Sequence, residues 1–125
     1  MTLALLIALP MGCPGFGNQV PDVGDVSEFP TWEEDVSAIM ASDCTSCHGS
    51  ASYQNNDPSF RLDVYDSDGQ VAGAYDMADR IVARAVDGEG GYMPLGSSTG
   101  VDDAKKLTLE RWLELGAPET AADLE

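Results

Sequence analysis

The sequence contains few basic residues, few cysteines and almost no histidine. Its 125 residues include six lysines and arginines against 22 aspartates and glutamates, which gives a net charge of −16. A charge this negative disfavours binding to nucleic acid or to anionic lipid surfaces. The apolar run at residues 3–9 is also too short to span a bilayer as a helix. We therefore expect no nucleic-acid partner and no membrane-spanning segment in this run.

Residues 1–13 resemble a bacterial export signal. The apolar run at 3–9 is followed by Pro10 and then by Gly12 and Cys13, which is similar to a lipoprotein cleavage box. Two departures are clear, because no basic residue precedes the run and Pro10 occupies the place where such boxes usually carry leucine. An ordinary signal peptide with a nearby cut is the alternative. We predict an exported, periplasmic protein that touches the membrane only through a lipid on Cys13.

The rest of the chain divides into a tether, a domain and a tail. Residues 14–30 are rich in proline, glycine and acidic residues and have no helical or strand period, which predicts a flexible tether. A plain spacer is the alternative interpretation. Residues 31–118 are predicted to form one small domain, and 119–125 a carboxy-terminal tail.

The five residues from Cys44 to His48 form the pattern Cys-x-x-Cys-His of covalent c-type heme attachment. Two thiols at this spacing can form thioethers with the two vinyl groups of one porphyrin, and His48 can supply a nitrogen to the iron. Cys-x-x-Cys also occurs in redox dithiols, which need a βαβ context, and in zinc sites, which need a second Cys/His pair. Neither context is present, because Cys13 is the only other cysteine. We predict one heme c attached through Cys44 and Cys47.

Three amphipathic helices are predicted around this motif. Thr31 and Glu34 indicate a capping box at the start of the first helix. The second helix is predicted over residues 71–86. The third begins after Asp102, which suits an N-cap, and ends at Gly116.

A glycine-rich loop leads to Met93, which precedes Pro94. Since the chain has one histidine, an iron with both axial positions filled needs a different second ligand, and a methionine thioether is the common choice. Met40 and Met77 compete for this role, but both lie on predicted helical faces where methionine fills gaps in the core. We predict Met93 as the second iron ligand.

A heme also brings two propionates, which arginine can bind through two parallel hydrogen bonds. Arg61 is the arginine nearest the motif in sequence, so we predict it as the propionate partner. A charged outer face of the middle helix is the simpler interpretation of Arg80 and Arg84.

The order of these features is similar to that of class I c-type cytochromes, in particular small bacterial domains with a Cys-x-x-Cys-His-Gly start and a Met-Pro-Leu-Gly loop. The resemblance covers about residues 31–116. It implies an all-α, cytochrome c-like fold in which three main helices and loops enclose one heme, with His48 and Met93 as proximal and distal ligands. The long acidic insert that follows the motif departs from the family pattern.

The resemblance further implies a monomeric electron-transfer protein rather than an enzyme. Its partners would be other redox proteins with basic docking surfaces, which suits the acidic composition. Two alternatives belong to other classes: a heme enzyme or gas sensor whose Met93 ligand can be displaced, and a zinc-binding structural lipoprotein.

Overall fold

The structure is a computed structural model that describes residues 25–50 and 59–125. Within these ranges it is helical, with a few isolated β-bridges and no named strand, so the predicted all-α class is confirmed. In chain order the elements are a π-helical turn Trp32–Val36, α1 Ser37–Asp43, α2 Thr45–His48, α3 Ala78–Ala85, α4 Asp103–Glu114 and a 3-10 helix Ala121–Leu124. None of the helices in these ranges is long and apolar enough to cross a membrane. The predicted export signal, Cys13 and most of the predicted tether lie outside the described residues.

The first helix begins at Thr31 as predicted, but its capping box closes through a different residue. The Thr31 hydroxyl accepts a hydrogen bond from the Glu34 amide at 3.2 Å, whereas the Thr31 amide donates to the Asp35 carboxylate at 2.9 Å. The Val36 amide donates to the Thr31 carbonyl at 3.0 Å, which is the wider spacing of a π-type turn. This extra residue in the turn places Asp35 where Glu34 was expected.

The middle helix is shorter than the sequence period predicted. The prediction ran from 71 to 86, whereas α3 spans only Ala78–Ala85. The residues before it form backbone hydrogen bonds with the preceding loop instead. For example, the Ala74 amide donates to the Val64 carbonyl at 2.9 Å. A Cβ on Gly73 would lie 2.3 Å from a carbonyl oxygen of that loop. Backbone contact with a distant segment therefore overrides the local helical pattern.

The last helix begins and ends where the sequence indicated. The Asp102 carboxylate accepts from the Lys105 amide at 2.9 Å, which is the predicted N-cap. At the other end Gly116 has a φ of +86°, a conformation that glycine adopts without strain.

The turn after α4 ties the first helix to the last. The Pro118 carbonyl accepts two hydrogen bonds, from the Trp32 amide at 2.9 Å and from the Trp112 indole at 3.0 Å. The Ala117 carbonyl accepts a third, from the Tyr65 hydroxyl at 2.7 Å. The two indole rings lie 6.3 Å apart, and Trp112 is completely buried. We call residues 116–118 the closing turn.

One hydrophobic core joins α1, α3 and α4. Its buried residues are Trp32, Val36, Ile39, Met40, Leu62, Ala74, Ala78, Ile81, Val82, Ala85, Val86, Val101, Leu109, Trp112 and Ala117. The core supports two segments that carry the candidate site, the Cys44–His48 turn and the loop after α3.

Candidate heme-attachment site

The predicted attachment motif forms a single helical turn. The Cys44 amide donates to the Met40 carbonyl at 2.9 Å, which continues α1, and the His48 amide donates to the Cys44 carbonyl at 2.9 Å. Residues three and four apart lie on the same side of a helical turn. The structure thus brings Cys44, Cys47 and His48 together on one side of α2, each partly exposed.

The carboxy-terminal side of this turn is held by the loop that carries Phe60 and Leu62. The His48 carbonyl accepts from the Leu62 amide at 2.8 Å, and the His48 imidazole stacks on the Phe60 ring with centroids 4.7 Å apart. Gly49 is buried, and a Cβ there would come within 2.6 Å of the Thr45 carbonyl oxygen. The Phe60 ring therefore supports the imidazole, while the other two contacts hold the backbone of the turn.

The amino-terminal side of the turn is held by α4. The Lys105 ammonium lies 2.7 Å from the Asp43 carboxylate and 3.4 Å from the Asp102 carboxylate. Asp43 directly precedes Cys44, so the ion pair links the attachment turn to the start of α4. Because 62 residues separate Asp43 from Lys105, the sequence carried no signal for this contact.

Cys44 differs from the reactive thiol of a redox dithiol. Cys44 is not in a disulfide, and burial, with a smaller contribution from the charge of Asp43, raises its pKa to about 12. Reactive Cys-x-x-Cys thiols have a lowered pKa instead, because the thiolate is the attacking species. The helix before the motif also differs from the strand that a βαβ redox unit would place there.

Met93 lies in the loop that follows α3, and its backbone is anchored to that helix. The Met93 amide donates to the Arg84 carbonyl at 2.9 Å, and the side chain is partly buried. Met40 is 1% exposed within the core and Met77 packs against it, as the sequence predicted for both. The joint ligation of one iron by His48 and Met93 remains a prediction.

Tyr92 positions this loop, a role that the sequence did not reveal. A Cβ on Gly88 would lie 2.6 Å from the Tyr92 ring, so the ring lies flat on the glycine backbone. Gly100 contacts the same ring, since a Cβ there would be 3.0 Å from it. The Lys106 ammonium lies 5.4 Å from the ring centroid, within cation–π range. The loop before Met93 is therefore packed from three directions.

Arg61, the predicted propionate partner, makes an ion pair with Asp63. Its Nε and Nη2 atoms donate to the two Asp63 carboxylate oxygens at 2.9 and 2.6 Å. The Ser50 amide donates to the same carboxylate at 3.3 Å. These hydrogen bonds, chiefly the one from Arg61, lower the pKa of Asp63 to about 2. The assignment of Arg61 to a propionate stays a prediction. In this structure its Nε and Nη2 atoms donate to Asp63 instead.

Two clefts lie away from the attachment turn. One of about 460 Å³ is lined by Trp32, Arg61 and Tyr65 among others, and one of about 280 Å³ lies between Tyr75 and Leu113.

Within residues 25–50 and 59–125, no three His, Cys, Asp or Glu side chains form a group that could hold a metal ion. The zinc alternative gains no support from this part of the chain.

Comparisons of the chain with protein-family models, with curated proteins and with solved structures found no match in any of the three. The assignment therefore depends on the chemistry of the donor set. Two thiols and one imidazole on a single turn are the groups that covalent heme attachment uses, and Met93 offers a thioether from a separate loop. The residues present fit a heme c.

Proposed function

We propose that this protein is a monoheme c-type cytochrome of the class I kind, which carries single electrons between redox partners. The observation that carries the proposal is the placement of Cys44, Cys47 and His48 on one helical turn that is anchored on both sides. A turn held in this way presents its thiols and imidazole in a fixed arrangement. The all-α fold, in which the first and last helices pack together, supports the same class.

In this proposal each residue has a separate task. Cys44 and Cys47 would hold the porphyrin through thioethers, and His48 and Met93 would bind its iron. When bound, the heme supplies a reversible one-electron couple. Phe60 stacks on the His48 imidazole, and the Leu62 amide holds the His48 carbonyl. The packing of Tyr92 supports the loop that leads to Met93. An iron bound by both His48 and Met93 would be protected from other ligands.

The surroundings of the protein follow from its charge and amino terminus. We propose that it acts as a monomer in the periplasm, held near a membrane by a lipid on Cys13. With a net charge of −16, it would be steered towards redox partners that present basic docking surfaces.

The proposal is tested by the absorption spectrum of the full chain produced with a c-type heme maturation system. We expect a covalent, low-spin heme in both redox states, with a sulfur-to-iron charge-transfer band in the ferric form. Met93→Ala should abolish that band, whereas Met77→Ala, a control that removes a thioether packed on the core, should keep it.

Three other outcomes would contradict the proposal. A high-spin heme that binds carbon monoxide before any mutation would instead indicate a heme enzyme or gas sensor. Zinc without porphyrin would indicate a structural lipoprotein. Loss of the charge-transfer band in Met77→Ala but not in Met93→Ala would show that Met77, and not Met93, is the iron ligand.

A further inference from the structure

We infer that Arg84, rather than Arg61, binds a heme propionate, an inference that depends on the proposed function. The Nε atom of Arg84 exposes less than 1 Å² to solvent and has no hydrogen-bond partner among the described residues. A buried guanidinium nitrogen without an acceptor is costly, because it loses its hydration and gains nothing in return. Such a group indicates an acceptor that is not part of the described protein.

The other bases in the described ranges have partners or are exposed. Arg61 and Lys105 pair with carboxylates. Arg111 donates to the carbonyl oxygens of Val26 and Ser27. Lys106 lies over the Tyr92 ring, and Arg80 is exposed on α3.

Arg84 differs from all of these bases. Although the chain contains 22 acidic residues, none in the described ranges lies within 4.0 Å of its guanidinium. A partly buried cation with no carboxylate of the described residues beside it is suited to bind one that the heme supplies.

Arg84 contacts the Met93 loop through both its backbone and its side chain. Its carbonyl holds the Met93 amide at 2.9 Å, and its Nη1 atom lies 2.9 Å from where a Cβ on Gly90 would be. Glycine at position 90 thus leaves space for the guanidinium against the loop. A planar guanidinium can bind a carboxylate through two parallel hydrogen bonds. Arg84 would then join the propionate, the last turn of α3 and the Met93 loop.

The test compares reduction potentials of Arg84→Gln and Arg80→Gln. Both changes remove one positive charge from α3, four residues apart, so long-range electrostatic effects are nearly matched. A cation beside a propionate favours the ferrous state, since it offsets the added negative charge. We expect Arg84→Gln to shift the ferrous/ferric equilibrium about tenfold towards ferric, which is ~59 mV for a one-electron couple. Arg80→Gln should change it by less than threefold.

A second pair of variants keeps the charge and guards against poor folding of Arg84→Gln. In Arg84→Lys the carboxylate bands of ¹³C-labelled heme propionates should shift in the infrared spectrum, because the fork of donors is lost. Arg80→Lys should leave them unchanged. All measurements use phosphate-free buffer. A potential shift that appears only after phosphate is added would mean that Arg84 binds a free anion, and would overturn the inference.

The failures of the two proposals are distinguishable. Wild-type protein without covalent heme would overturn the proposed function and this inference together. A low-spin heme protein in which Arg84→Gln and Arg80→Gln shift the potential equally would overturn the inference alone.

Discussion

Replacing Trp112 by Phe tests whether the closing turn holds the domain together. Trp112 is completely buried, and its indole donates to the Pro118 carbonyl at 3.0 Å. The same carbonyl also accepts from the Trp32 amide at 2.9 Å, so it keeps one partner in the variant. The substitution therefore removes one hydrogen bond and part of one ring without leaving the carbonyl unsatisfied.

The expected loss of stability follows from these two contributions. The hydrogen bond contributes about 1 kcal/mol. The smaller ring leaves a partial cavity, which costs about 1–2 kcal/mol by comparison with other large-to-small core changes. The free energy of unfolding should fall by about 2–3 kcal/mol, which corresponds to a melting temperature lower by roughly 10–20 °C for a domain of this size.

The measurement is denaturant unfolding of the heme-loaded full chain, followed by circular dichroism. Tyr75→Phe is the control, because Tyr75 is 50% exposed and the Tyr75 hydroxyl makes no hydrogen bond among the described residues. It should change stability by less than about 0.5 kcal/mol. A Trp112→Phe variant as stable as the wild type would refute the argument that the closing turn is energetically important.

Two further predictions concern the surface ion pair and the loop before the candidate ligand. The hydrogen bonds from Arg61 lower the pKa of Asp63 from 3.8 to about 2, so Asp63 contributes stability above about pH 4 that is lost as the pH falls through about 2. In Arg61→Gln the pKa should rise towards 3.8, and an unchanged carboxyl titration by NMR would contradict this. Gly88→Ala should push Tyr92 aside and weaken the sulfur-to-iron band, because Gly88 has a φ of +74° and lies against that ring. Gly69→Ala, at a φ of +60° with open space around it, carries similar backbone strain and should leave the band intact.

Local signals in the sequence correctly predicted the starts of the first and last helices and the end of the last one. Thr31 and Asp102 cap their helices, and Gly116 ends the last one, because caps and stops depend on residues only a few positions apart. The same locality explains the error over residues 71–77. Their helical period was real, but the loop around Val64 offers these residues backbone partners that no local pattern can show.

In the candidate site, too, the local features could be predicted from the sequence and the long-range contacts could not. The Cys44–His48 turn could be predicted because its chemistry lies within five consecutive residues. The partners of the arginines could not, since a charge in the sequence does not reveal which side chains come near it. Proximity to the motif favoured Arg61, whereas the structure pairs Arg61 with Asp63 and leaves the Arg84 guanidinium without an acceptor among the described residues.

The closing turn also has a consequence for the order of events during synthesis. The first helix is tied to Pro118, so the residues that hold it in place are made more than 80 positions after Trp32. Because the chain is synthesised from its amino terminus, the Cys44–His48 turn would be exposed well before the domain can close. On the proposed function, the thiols would then meet heme on an open chain, and residues 112–118 would afterwards fix the first helix against the last.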